Sequence, residues 1–576
     1  MKPLWPKDNA QNLSILVLML LTLCTYSQLV LHPFFWIDDL TYISRNLMVK
    51  HGFNKESMVW AFSTLFYGNW CPITWIVHML DVELFGLWAP GHHLSSLFLH
   101  LLNTFLIFMF LNKATSSFGK AFWVALLFAL HPLHVEAVAW ASSKKDLLSG
   151  FFGSLFLISY LRYTSNRSKQ SYLLCLVLYL LGLASKSSLI PFAFILLVLD
   201  YWPLGRISFE ELSNFKGRFW KLFIEKIPFL ILSIIFALLT SSAQKLAGAH
   251  DLMPKLSVWK SLGNACFFVL SYILKTLWPF RALGFPYPYY NFDPLSLGLF
   301  ALLLILILLY VLRFGVKYPW LFAGFFFFLL GIFPYLQLQQ TGHQQMADRW
   351  MYLPVLGLFI ALVWSFGSIL EKHGKLLHLK WATFLFAGVL TVSCWMQVSY
   401  WKTPESLLRH TISLSSGNHM AYVYLSSGLE MENRVKEALE EAKKGWSIAP
   451  TFKTFERIIG SLNRAGQAAE SIHYLRNTEY EDPVFTLLEK AQIYSILASY
   501  PDSREAYRKF FGSDPFEVCI ETSKAGLELD KENSSFQTLI AAALMKLNKD
   551  SEAEIIFKRV LEVQPKRSEN HANIAA

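Results

Sequence analysis

Two adjacent carboxylates, Asp38 and Asp39, stand directly after the first apolar run of the chain, flanked by Trp36, Ile37, Leu40 and Tyr42. Two negative charges side by side at an apolar boundary are costly, through repulsion and lost hydration, unless a cation or a proton to be abstracted lies nearby. One carboxylate can then act as general base toward a hydroxyl while its neighbour orients it or meets a cation. Successive residues point in different directions on a strand or helix, so only one of the pair is expected to face a reactant, and Asp38 is taken to be that one. The plainer alternative is a helix cap with one solvated charge.

Three further segments carry cations beside apolar runs: Lys144-Lys145-Asp146, Lys186 in ASKSS, and Asp348-Arg349 in MADRWMYLP. An anionic lipid headgroup or phosphodiester is a natural partner for such charges. Arg349 can hold a phosphate through its planar fork, with Asp348 orienting it. Exposed loop lysines and a helix-capping ion pair are the alternatives. His131-Pro-Leu-His134-Val-Glu136 has histidines and a carboxylate but not the spacing of a zinc site. It reads better as interfacial histidines hydrogen-bonded to their loop, and His93, in the His92-His93 pair, is similar. No glycine-rich phosphate loop, dinucleotide fingerprint or Ser-His-Asp arrangement is present in the sequence. No metal site is expected, although a divalent ion is compatible with the chemistry.

The elements that must position these residues are apolar. Of 576 residues, 54% are hydrophobic and 16% charged, against roughly 25% charged in a soluble domain. The apolar residues form runs of near-membrane length at 13–31, 94–111, 121–139, 147–161, 172–184, 188–202, 227–242, 294–312, 319–336, 351–370 and 381–399. This predicts an all-α, polytopic membrane bundle of about 11 spans over residues 1–401. Basic connections at 112–120, 162–170, 203–226, 313–318 and 371–380 then all fall on the cytoplasmic side. The loops bearing Asp38, Lys144, Lys186 and Arg349 fall on the other. That count requires 262–280, which Asn264 and Lys275 interrupt, to be an interfacial or re-entrant helix on the outer face. The net charge of +10 is explained by orientation in the bilayer, so nucleic acid is not an expected partner. The six cysteines are scattered singly and show no metal or disulfide spacing.

Residues 402–576 change to charged, alanine-containing helical patterns. The segment ending in Pro565 fits a 34-residue helix-turn-helix repeat, with Ala541, Leu544, Ala553 and Phe557 at template positions. Tyr422, Leu425, Ala438, Ala442 and Pro450 give a second match, and Ala525 and Leu527 fit loosely. A tetratricopeptide-like α-solenoid is expected there, and such stacks bind peptide segments.

The segments WIDDLTYISRN, GNWCPITWIVHMLDVELFG, GHHLSSLFLHLLN, HPLHVEAVAWASSKKDLLSGFF, ASKSSLIPF, KTLWP and MADRWMYLP together resemble the transmembrane and tetratricopeptide-repeat proteins, GT-C-type glycosyltransferases with bacterial relatives. The resemblance covers nearly all of residues 30–360. It implies an inverting transfer of a sugar from a polyprenyl-phosphate donor to protein Ser or Thr hydroxyls, outside the cytoplasm, in a bacterial inner membrane or the endoplasmic reticulum. Asp38 and Asp39 match the family's catalytic acidic pair. Lys144, Lys145, Lys186 and Arg349 correspond to cations around the donor phosphate, supported by His93, His131, His134, Glu136 and Asp348. No cofactor is implied beyond the lipid-linked sugar; the partners are membrane lipid and a protein or peptide acceptor at the repeats. Two other classes stay open: a scaffold recruiting envelope proteins through its repeats, and a transporter of lipid-linked saccharides.

Overall fold

The computed structural model describes residues 9–246, 257–280, 284–287, 290, 292–338, 344–373, 376–477, 487–529 and 534–563. Among these the regular structure is entirely helical. The chain divides into two compact units, Met1–Gly284 with Tyr289–Leu407, and Phe285–Pro288 with Leu408–Ala576.

In the first unit the principal helices are α1 (Asn9–Tyr26), α2 (Pro72–Phe85), α3 (Ala89–Thr115), α4 (Phe118–Leu130), α5 (Lys144–Asn166), α6 (Lys169–Ser185) and α7 (Phe192–Tyr201). They continue with α8 (Arg218–Leu246), α9 (Val258–Leu277), α10 (Pro294–Gly315), α11 (Pro319–Ile332), α12 (Val355–His373) and α13 (Leu376–Tyr400). The apolar runs named above are mainly helical, with short non-helical breaks at 131, 190–191 and 352–354. Among the described residues four helices are long and apolar enough to cross a membrane: Asn9–Leu31, Ala89–Thr115, Arg218–Leu246 and Pro294–Gly315. A fifth candidate is the bent pair Phe118–Leu130 and Pro132–Ala139, which turns by 53°. The bend falls where Pro132 can donate no backbone N–H and pushes His131 to extended geometry (φ −75°, ψ 127°). The other apolar helices are shorter or more polar.

Outward faces identify the solvent. Along α8, Trp220, Ile224, Ile227, Ile231, Ile234 and Leu238 are exposed at helical spacing, while Phe219, Leu222, Lys226, Phe229, Ser233 and Phe236 are buried. Water would penalise that apolar stripe, whereas lipid would not. Helix α9 repeats the arrangement: Ser261, Asn264, Lys275 and Thr276 face inward, and Val258, Trp259, Leu262, Leu274 and Leu277 face outward. It is a continuous helix over Val258–Leu277.

Close backbone approach fixes the helices that carry the polar residues. A Cβ on Gly324 of α11 would lie 2.4 Å from the Gly357 carbonyl of α12, so only glycine permits this crossing. A Cβ on Gly150 of α5 would meet the Tyr352 ring at 2.7 Å. Tyr352 is held there by His100 Nδ1 at 2.9 Å and by the Asn103 side-chain amide, which donates to the Tyr352 hydroxyl at 3.0 Å.

The second unit is a succession of short helices from His419–Met431 to Asp550–Val563. Tyr422, Leu425, Ala438, Ala442, Ala541, Leu544, Ala553 and Phe557, the template positions above, are buried. Ala525 is exposed and Leu527 half-buried, and Pro565 lies outside the described residues. The short segment around Phe285 belongs to this unit: Phe285 N–H donates to Thr411 Oγ1 at 3.0 Å, and the Asn418 amide donates to the Pro286 carbonyl at 2.7 Å.

Candidate functional site

The two aspartates have different surroundings. Asp39 is fully buried, and its two carboxylate oxygens accept the backbone N–H groups of Phe35 and Ser142, each at 2.8 Å. It thereby ties the turn after α1 to the segment before α5. Burial pushes its pKa up to about 7 against the opposing effect of those two donors. Asp38 is half-buried. No hydrogen bond to its carboxylate occurs among the described residues. Burial raises its pKa above the usual carboxylate range, and the charges of Lys145 and Arg349 pull it back. It forms an ion pair with neither. Asp38 is therefore an uncommitted carboxylate facing two cations, whereas Asp39 is committed to backbone.

The segment 131–144 is buried throughout, not an exposed loop between spans. It runs as short turns into the N-terminus of α5, where three successive residues diverge by about 100° each. Lys144 bonds Asp81 of α2 and, at 3.3 Å, the His92 carbonyl. Lys145 donates to the Tyr42 hydroxyl at 3.2 Å, its ammonium 4.9 Å from that ring's centre. Asp146 accepts from Lys186 at 2.5 Å. Tyr42 in turn stacks on the buried Trp75. Burial lowers the Lys186 pKa to about 8 despite Asp146.

Arg349 bonds Glu136 through its guanidinium, and its backbone N–H donates to the same carboxylate at 3.1 Å. Its other terminal nitrogen donates to Gln344 at 2.7 Å, and the guanidinium lies 5.0 Å from the centre of the Trp140 ring. A small cleft lined by Asp146, Ser188, Tyr335, Arg349 and Tyr352 has an inner volume of about 10 Å³, room for one water.

The structure thus gathers Asp38, Lys145, Lys186 and Arg349, with Glu136 behind Arg349. Lys144 sits apart, completely buried on Asp81. Of the four predicted phosphate-binding cations, Lys145 alone has no carboxylate ion pair among the described residues. Asp348 pairs with Lys275 at 3.4 Å. The histidines support backbone: His93 Nε2 meets the Pro33 carbonyl at 3.2 Å, His131 spans Leu133 N–H and the Thr276 carbonyl, and His134 Nδ1 meets the Phe128 carbonyl at 2.6 Å. Among the described residues the group with ligand atoms close enough for a metal ion is a different one: His78, Asp81 and His92. There the Lys144 ammonium already meets Asp81. Sequence reasoning missed Asp81 and Tyr42 as partners and Trp140 as the surface beneath Arg349; their only signal was proximity to the motifs already noted.

All-helical, with apolar residues turned outward and charged residues gathered where helices begin, this is a membrane protein. Its homologues are protein O-mannosyl-transferases of the Tmtc type. Over 169 residues it is 30% identical to Protein O-mannosyl-transferase Tmtc1 of Drosophila melanogaster, covering 27% of this chain and 20% of that one. A protein O-mannosyl-transferase of Caenorhabditis elegans is 28% identical over 174 residues, covering 27% and 24%. The human Protein O-mannosyl-transferase TMTC1 is 36% identical over 98 residues, covering 17% and 10%. The matches therefore span a quarter or less of these relatives' length. No family model matches the chain.

Proposed function

We propose that the chain is a GT-C-type membrane glycosyltransferase that moves a sugar from a polyprenyl-phosphate donor to a hydroxyl, that of a protein serine or threonine, on the extracytoplasmic side. The observation that carries this reading is the division of labour at Asp38-Asp39: one carboxylate is spent on two backbone N–H groups, and the other stands uncommitted before Lys145 and Arg349. The names of the homologous proteins support the reaction class.

Asp38 takes the proton of the acceptor hydroxyl, whose oxygen attacks the anomeric carbon. The bond from that carbon to the phosphate oxygen breaks on the opposite face, inverting the configuration, as in other displacements flanked by carboxylates. The departing lipid phosphate gains negative charge. Lys145, with no carboxylate ion pair among the described residues, meets it first, and Arg349 and Lys186 flank it. The narrow cleft beside Arg349 must widen for the donor to enter. The tetratricopeptide-like repeats of residues 402–576 hold the acceptor segment.

The test uses the full chain in liposomes with labelled polyprenyl-phosphate mannose and a serine- and threonine-containing peptide. Labelled peptide from which alkaline β-elimination releases the labelled sugar, as expected of an O-glycoside, supports the proposal. Folded protein that transfers sugar from no lipid-linked donor would overturn it and leave the scaffold reading.

A further inference from the structure

A second charged site lies at the far end of α5, about 34 Å from Lys144 by helical rise. Its floor is a closed network. Arg206 donates to Asp200 at 2.7 Å and to both oxygens of Glu225 at 3.0 and 2.7 Å. Lys226 bonds Asp200 and, at 3.0 Å, Glu225, and the Tyr160 hydroxyl donates to Asp200 at 2.9 Å. Asp200 and Lys226 are fully buried, and the Arg206 side chain is only 10% exposed.

Above this floor opens a cavity of about 490 Å³ lined by Arg167, Arg206, Arg218, Lys221, Leu222 and Glu225. Its rim is positive and only partly neutralised. Arg167 shares Glu225 with Arg206, and Arg218 reaches Glu211 only at 4.0 Å. Lys221 is exposed, and among the described residues it has neither hydrogen bond nor ion pair. Five cations here face three carboxylates, so positive charge is left over and directed at a cavity.

Position indicates what neutralises it. Arg218, Lys221, Leu222 and Glu225 lie on the first two turns of α8, a helix long and apolar enough to cross a membrane. Trp220 and Ile224 on the adjoining face are exposed, as at a lipid interface. The cavity therefore opens at the depth where lipid phosphates lie.

We propose that this cavity binds a phosphate-bearing anion, held by Arg218 and Lys221 over the preformed Arg206–Glu225 floor. The source is a lipid headgroup or a free phosphate compound. The inference is independent of the transfer reaction proposed above.

The experiment uses the full chain in phosphatidylcholine nanodiscs. In one arm phosphatidylglycerol is added and bound lipid is counted by native mass spectrometry. In the other, inorganic phosphate is added and thermal unfolding is followed by tryptophan fluorescence. Arg218→Gln/Lys221→Gln removes two rim cations and leaves the buried network intact; Lys436→Gln, at an exposed lysine of the second unit, is the charge control. The expected result is selective retention of phosphatidylglycerol, weakened roughly 10- to 30-fold by the rim variant and unchanged in the control. Stabilisation by inorganic phosphate that the rim variant abolishes would also support the site and identify a soluble ligand. Binding that the rim variant leaves unchanged, or that Lys436→Gln reduces equally, would overturn the proposal, as would no response in either arm.

Discussion

The two ends of α5 are built from the same residue types and differ in what is left over. At the Arg206 end both carboxylates of the floor are saturated: Asp200 takes Arg206, Lys226 and Tyr160, and Glu225 takes Arg167, Arg206 and Lys226. At the Lys144 end Asp39, Asp81, Glu136 and Asp146 each hold a partner, though Asp146 Oδ2 is buried without one, whereas Asp38 has a hydrogen bond on neither oxygen among the described residues. Buried charge by itself therefore marks construction; the chemistry is assigned to Asp38, the acid with neither oxygen paired among the described residues. A saturated carboxylate can give up its partners only by leaving other charges uncompensated, whereas an uncommitted one can accept a proton at little structural cost.

The largest effects should separate the two regions most sharply. Asp38→Asn is expected to lower sugar transfer by roughly 10²–10⁴-fold, the range of a positioned acid–base group, while the amount of folded protein is unchanged. Asp200→Ala should do the reverse: breaking a buried pair costs about 3–5 kcal/mol, read as loss of folded protein by size-exclusion fluorescence. If the two variants behaved alike, the distinction between the regions would fail.

A smaller effect is expected at Arg349. Its guanidinium reaches Glu136 and Gln344 together, which a single ammonium cannot copy. Arg349→Lys should raise the donor concentration needed for half-maximal transfer by roughly 10- to 100-fold, the worth of a hydrogen bond to a charged group, with expression intact. Unchanged donor dependence would remove Arg349 from the phosphate site.

The smallest effect concerns pH. The base must be deprotonated, so transfer should fall as pH drops through the raised pKa of Asp38. Lys145 and Arg349 hold that pKa down. Lys145→Gln removes one of these charges, so Asp38 should bind its proton more tightly and the acid limb should move to higher pH. A shift toward lower pH would contradict the placement of Lys145 beside Asp38.

Much of this was legible before any fold was known. The apolar runs became helices because their composition leaves little alternative in lipid. Asp38, Lys145 and Arg349 stood out because charge beside an apolar run is costly. Pairings were not legible. Lys144 bonds Asp81, 63 residues away, and Arg349 bonds Glu136, 213 away. Such partners are chosen by helix packing, and sequence spacing carries no record of it. For the same reason Arg206 read only as one of many orienting charges, although Asp200 and Glu225 lay within 20 residues of it.

The central assignment is most directly tested by the single-turnover rate of sugar transfer as a function of pH, measured for the wild-type chain and for Asp38→Asn at equal folded protein and saturating lipid donor. The expected result is an acid limb in the wild type and, in Asp38→Asn, a slow residual rate without that limb. An Asp38→Asn protein that keeps both the wild-type rate and the limb would contradict Asp38 as the general base.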